Sequence, residues 1–366
     1  MCMGKCRIRR FPCNFIFIPI YCSYKRHLKI ARRNYLTSGR KGRKIMRRAK
    51  KALRITGIAV ILLFILVAAG VSVLNNWVGK QVAEGLLYQN KGNDTRKNSV
   101  LQLEQWGYDL EGFEERYQPR MCSVTAGDGV ISPAAVFTCP ESGNTAILVH
   151  GAGGDHVSMY PVAEMYLKNN WNVIAIDQRA CGASEDDKVS FGYFEKQDVA
   201  AWVDYAENEM SSVKIVVHGQ SMGAATAALY ASDGQYDRKA DAVILDSCID
   251  SMERMFLGVW REMDGTEEIP EDYVVSCGDR YLKKHFGFGF EDADVLEKMK
   301  ENHVKTMMIQ CGQDEIVPNQ IAEQIFQNIP AENKEICYFD SRHVEAAIDY
   351  PAEYEKAVLT FLNEEQ

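Results

Sequence analysis

Apolar positions fall into distinct patterns along this chain, and each pattern predicts a different kind of element. From about Met121 onward, short and largely apolar runs at 146–149, 173–176, 215–217, 242–245, 306–309 and 335–339 alternate with longer stretches of mixed polarity. Runs without polar alternation suit parallel strands covered on both faces. In the stretches between, apolar residues recur at three- and four-residue steps, as in Val199, Trp202, Val203, Ala206 and Met210, so that one helix face is buried. Residues 350–362 predict a final helix. Strands alternating with helices predict an α/β fold on a mostly parallel sheet, whose ligands bind beyond the carboxyl ends of the strands.

Upstream the pattern changes. Residues 55–74 run for twenty positions without a charge; at 1.5 Å per residue such a helix spans about 30 Å, the thickness of a bilayer's hydrocarbon core. Arg47, Arg48, Lys50, Lys51 and Arg54 abut its amino-terminal end. This bias predicts an uncleaved, single-pass anchor with the N-terminus in the cytoplasm and everything after Asn75 on the far side of the cell membrane. A cleaved signal peptide is the competing reading, with Val67-Ala68-Ala69 as the cleavage site and a secreted product. A buried core helix is a third, and the flanking cations argue against it.

Residues 75–120 read as a polar, helix-prone connector with a flexible break at Gly92-Asn93-Asp94-Thr95. Residues 1–45 mix Cys, aromatic and basic residues without a period. Arg40-Lys41-Gly42-Arg43-Lys44, just before Met46, is what a purine-rich ribosome-binding site reads as when translated in frame. Synthesis is therefore expected to start at Met46.

Charge sharpens this division. Residues 1–54 hold 18 Lys and Arg and no Asp or Glu, which leaves 24 basic against 50 acidic residues, a charge of −26, in 55–366; the whole chain of 366 residues carries −8. So acidic a domain is a poor partner for nucleic acid. Of eleven cysteines, four lie in the leader. The other seven are widely spaced, show no C-x-x-C pair, and predict buried residues at Cys311 and Cys337 rather than ligands. An odd set of thiols is the strongest objection to an oxidising exterior.

The chemistry falls where the sheet rule demands it. Gly219-Gln220-Ser221-Met222-Gly223 stands between a strand run and the helix-forming residues 224–230, as a nucleophile elbow does. The glycines let strand and helix approach while the serine takes a strained backbone. Asp314 follows the 306–309 run, and His343 follows the last strand. A lone hydroxyl is a weak nucleophile, so His343 is the candidate base and Asp314 the candidate acid that holds its tautomer. His150-Gly151-Ala152-Gly153-Gly154 follows the first central strand; the backbone amides of Ala152 and Met222 are the candidate oxyanion hole.

Together with Asp177-Gln178-Arg179-Ala180-Cys181-Gly182-Ala183-Ser184, these motifs resemble α/β-hydrolases of the serine esterase and peptidase type, especially membrane-anchored or secreted bacterial hydrolases of uncharacterised substrate. The resemblance covers residues 121–366 and implies an eight-stranded sheet with helices on both faces, the chain order serine, acid, histidine, an acyl-enzyme, and no metal or organic cofactor. Many relatives read Asp-x-Arg-Gly-x-Gly-x-Ser in the second motif, so Ala180 departs from the pattern at a local turn.

Other readings compete at single positions. Asp246 also follows a strand and is the rival acid. His150 and His218 precede glycines and read as packing residues, His156 is a candidate substrate contact, and Arg179 and Ser184 read as structural. Residues 251–302 exceed a minimal crossover and include Met255, Phe256, Trp260, Tyr273, Tyr281, Phe286, Phe288 and Phe290. They form either a helical lid over an apolar acyl pocket or a crossover helix with a surface loop. The expected organisation is a basic segment (1–54), a transmembrane helix (55–74), a connector (75–120) and a catalytic domain (121–366). The expected activity is cleavage of a small-molecule ester or other acyl substrate. Peptidase, amidase or acyltransferase chemistry on the same residues and a non-catalytic binding protein on a hydrolase scaffold are the alternatives.

Overall fold

A computed structural model of the chain describes residues 29, 39–236, 240–266 and 268–364. The segment on which the expected start at Met46 bears lies mostly outside the described residues. The chain divides into two compact units, Met1–Asn75 and Asn76–Gln366. The helix Gly39–Leu87 begins in the first and ends in the second. Residues 55–74 are exposed throughout. Among the described residues this is the one helix long and apolar enough to cross a membrane.

The second unit is built on eight strands: β1 (Arg120–Thr125), β2 (Ile131–Phe137), β3 (Asn144–Val149), β4 (Asn172–Ile176), β5 (Lys214–Gln220), β6 (Ala242–Asp246), β7 (Lys305–Cys311) and β8 (Lys334–Phe339). Their order in the sheet is β1-β2-β4-β3-β5-β6-β7-β8. Only β2 runs antiparallel to its neighbours; β3 to β8 are parallel. The period-two geometry of the strands divides their apolar residues between two cores. Ile147, Val149, Val217, Leu245 and Met308 face one, while Leu148, Val216, Ile244, Met307 and Ile309 face the other. This is why the central strands read as uninterrupted apolar runs.

Helices cover both faces. Glu195–Asn208 buries Val199, Trp202, Val203 and Ala206 at the expected spacing, and the Trp202 indole N–H donates to Ser132 Oγ at 3.0 Å. Truncating so large a buried side chain to alanine costs about 3–5 kcal/mol. The final helix is Pro351–Asn363. Each of the seven described cysteines after the apolar span is a free thiol.

One segment differs from the sequence reading, and a second takes a definite form. The expected connector packs into the second unit: Val82, Ala83 and Leu87 are buried, and so are Leu103 in the helix Thr95–Gln105 and Phe113 in the helix Leu110–Arg116. Its expected break is ordered by Asp94, whose carboxylate caps the helix at Lys97 N–H. Residues 251–302 form two helices, Met252–Glu262 and Glu271–His285, followed by short turns. Of the aromatic residues in this segment, Phe256, Phe288 and Phe290 join the main core and the others pack partly buried against it; Phe288 stacks on Tyr193 with centroids 4.6 Å apart. Burial of aromatic area accounts for these residues without a ligand.

Candidate active site

Ser221 stands at the turn between β5 and the helix Met222–Ala231 with φ +54° and ψ −115°. The flanking glycines are sterically required there. A Cβ on Gly219 would lie 2.1 Å from the carbonyl oxygen of Gly223, and one on Gly223 would lie 2.0 Å from that of Val149. The Ser221 N–H donates to the Asp246 carbonyl at 2.8 Å, which ties the strained turn to the neighbouring strand.

The structure brings Ser221, Asp314 and His343 together. His343 Nε2 lies 2.9 Å from Ser221 Oγ, and its Nδ1 lies 2.7 Å from Asp314 Oδ2. The hydrogen-bond network assigns the proton to Nδ1, which leaves Nε2 to accept from the hydroxyl. Asp314 Oδ1 accepts the amides of Ile316 and Val317 at 2.9 and 2.8 Å, and its side chain is wholly buried. The loops carrying acid and histidine are zipped together by Gly312 N–H to the Phe339 carbonyl at 2.7 Å and Gln313 N–H to the Ser341 carbonyl at 2.9 Å.

Among the described residues, no acceptor takes the amides of Ala152 and Met222. Gly151 packs against Ser221: a Cβ there would stand 3.4 Å from the serine Cβ. Gln178 fixes this loop to the helix behind the serine, donating to the His150 carbonyl at 2.6 Å and accepting from Thr226 Oγ1 at 2.8 Å.

Asp246, the rival acid, has no hydrogen bond to His343. It is fully buried below the site, where it accepts from Gln220 Nε2 and the Tyr354 hydroxyl, both at 2.9 Å, and from Ser247 Oγ at 3.2 Å. Burial holds its carboxyl above the usual range, partly offset by these donors. His218 lies between the hydroxyls of Tyr166 and Tyr354 at 3.1 and 2.9 Å, and burial pushes it down to about 3. His150 is likewise buried and lowered, donating to the Gly151 carbonyl at 2.7 Å while accepting the Gln178 amide at 3.0 Å. Both are packing residues.

His156 is buried and lies 2.7 Å from Asp177, not at the serine. Asp155, His156 and Asp177 place three ligand-type atoms within 4.8 Å of one another. The Arg96 guanidinium rests on this group, bonded to the Asp155 carboxylate and 2.8 Å from His156 Nε2, as its counter-cation. Arg179 is structural, bidentate to Asp198 at 2.8 and 3.0 Å and bonded to Asp128 at 2.7 Å.

Some contacts to the site loops had no sequence signal. Arg254 donates to the Ile316 carbonyl at 3.2 Å, 62 positions away, and Asn98 donates to the Gly153 carbonyl at 3.1 Å, 55 positions away. No local periodicity marks such pairs.

The profile of the α/β hydrolase fold family matches residues 145–266. The chain is 27% identical over 240 residues to the uncharacterised protein YqkD of Bacillus subtilis, covering 61% of this chain and 72% of YqkD. It is 24% identical over 249 residues to the uncharacterised protein YfhR of Escherichia coli O157:H7, covering 65% and 78%. Among solved structures it is similar to the esterase Pf2001 of Pyrococcus furiosus, with a TM-score of 0.55 and 22% identity, covering 70% of this chain and 95% of that one. By its strand order, its elbow between β5 and the following helix, and these likenesses, the chain is a protein of the α/β-hydrolase fold.

Proposed function

We propose that this chain is a serine hydrolase that cleaves carboxylic esters through an acyl-enzyme on Ser221. The single observation that carries the reading is the unbroken hydrogen-bond path from Ser221 Oγ through His343 to the buried Asp314. Oγ attacks the ester carbonyl as its proton passes to His343 Nε2, and the oxyanion that develops faces the amides of Ala152 and Met222. Collapse breaks the bond to the alcohol, which leaves with the proton from the imidazolium. Water then adds by the same proton path, the acid departs, and the Ser221 hydroxyl is restored. Asp314 holds the imidazole through Nδ1 and stabilises the imidazolium.

The ester reading also draws on the esterase whose fold this chain shares. Residues 55–74 anchor the protein in the cell membrane with the basic segment 1–54 in the cytoplasm and the catalytic unit outside, a reading supported by the apolar length of the span and the cations before it.

The decisive experiment treats the purified protein and Ser221→Ala with a fluorophosphonate probe and a panel of nitrophenyl esters. Labelling and turnover lost in the variant support the esterase; labelling with amide cleavage or acyl transfer in place of ester hydrolysis moves the assignment to those activities. An unmutated protein that takes no label would leave a binding protein on this scaffold. Protease added to intact cells digests the catalytic unit if it lies outside, and digestion that requires lysis reverses the topology.

A further inference from the structure

The loop at residues 150–155 carries glycine at 151, 153 and 154, and Gly153 holds φ +71°. A stretch so poor in side chains cannot pin itself, so its shape depends on what grips it from outside. On one side the grip is Ser221 and Gln178, as described above. On the other it is the helix Thr95–Gln105, which lies outside the residues matched by the family profile.

Four residues in the first five of that helix make the contact. Asn98 Nδ2 donates to the Gly153 carbonyl at 3.1 Å. Ser99 Oγ accepts the Asp155 amide at 2.9 Å while donating to the Thr95 carbonyl at 3.1 Å, so its own direction is fixed. Arg96 bonds the Asp155 carboxylate, and Thr95 Oγ1 accepts the Gly182 amide of the adjoining turn at 2.9 Å. Ser99 is fully buried, so its bond to the loop is shielded from water.

Resting on the hydrolase reading above, we infer that the helix Thr95–Gln105 is a positioning element of the oxyanion hole, with Asn98 and Ser99 holding the 150–155 loop so that the Ala152 amide meets the developing charge. A role in the transition state is favoured over one in substrate binding, because Asn98 and Ser99 grip main-chain atoms one to three residues from Ala152. Oxyanion donors act only in the correct position: removing one costs about 10²–10³ in rate, and letting one drift costs part of that.

The test is Asn98→Ala, a change at an exposed side chain that leaves the core intact. Ester turnover is expected to fall about tenfold in kcat with KM within about twofold, and the inhibition constant of phenylboronic acid, which presents a tetrahedral anion to the site, rises in step. Ser99→Ala is expected to do the same more strongly. Unchanged kcat and boronate inhibition in Asn98→Ala, with the parent labelled by fluorophosphonate at Ser221, sinks the inference and leaves the hydrolase standing. A loss that appears in KM alone, or one matched by a fall in melting temperature with boronate inhibition unmoved, sinks it equally. A parent that takes no label overturns both.

Discussion

Ser247 Oγ accepts the Val344 amide at 3.4 Å, and both residues hold a left-handed backbone, with φ +52° and +56°. Ser247 follows Asp246 and Val344 follows His343, so two of the strained positions of this chain are joined beside the turn of His343 itself, and a third, Ser221, is hydrogen-bonded to its imidazole. A β-branched residue is a poor occupant of that region, and such strain persists only where surroundings over-determine it. Ser247→Ala takes away the acceptor of the Val344 amide and one donor to Asp246. We expect a loss of about 1–2 kcal/mol in the urea unfolding free energy together with slower labelling of Ser221; an unmoved unfolding midpoint contradicts this account.

The two buried carboxylates near the site separate by what their amides do. Asp314→Asn keeps size but favours the wrong histidine tautomer, and kcat is expected to fall about 10³–10⁴-fold with the unfolding midpoint nearly unchanged. Asp246→Asn can keep its carbonyl oxygen on Gln220 and Tyr354, which both bond Oδ2, but turns its N–H₂ toward the donating Ser247 hydroxyl, and its main effect is a stability loss of about 1 kcal/mol. Steady-state kinetics and denaturation on the same two proteins decide it; the reverse pattern makes Asp246 the working acid.

Ala180, in the Asp177–Ser184 motif, holds a left-handed backbone with φ +58°. A left-handed alanine costs roughly 1–2 kcal/mol, against roughly 0.5–1 kcal/mol for the extra unfolded-state freedom of glycine. Ala180→Gly is therefore expected to stabilise the protein by about 0.5–1 kcal/mol, read from urea denaturation. A destabilised variant shows that the alanine methyl packs to greater effect than the backbone strains.

Acid should unfold this domain through His218. Its ordinary value of 6.5 falls to about 3 in the folded state because burial disfavours the cation. Between those values the unfolded chain binds a proton that the native state refuses, so stability is full above about 6.5 and is lost as pH falls towards 3, by up to roughly 4–5 kcal/mol. His150 is lowered in the same direction. Asp246, raised by burial, takes up its proton earlier in the folded than in the unfolded state and offsets part of the loss. Urea midpoints from pH 7 to pH 4 should fall steeply in the parent and less steeply in His218→Phe; parallel slopes exclude His218 as the cause.

The central strands and the elbow were legible because their signals are local. Strands β3 to β7 are apolar on both faces, and the turn at Ser221 needs glycines on either side whatever surrounds it. β1 and β2 were not resolved individually in the sequence. β1 alternates between exposed and half-buried at the edge of the sheet, and Pro133 interrupts β2, so neither forms a clean run. The role of the 251–302 aromatics stayed open for a related reason: composition reports that apolar area must be buried, not which surface buries it.

Amino-acid order alone thus determined the α/β alternation, the apolar span at 55–74, the serine turn, and the positions after strand ends from which Asp314 and His343 project. Each of these follows from short-range spacing and from the fixed geometry of strands and helices. Tertiary packing decided which carboxylate touches the imidazole, that residues 76–118 are part of the folded unit, and that the helix Thr95–Gln105 grips the glycine loop. Those contacts join residues tens of positions apart, and their partners are chosen by which surfaces meet when the sheet is covered.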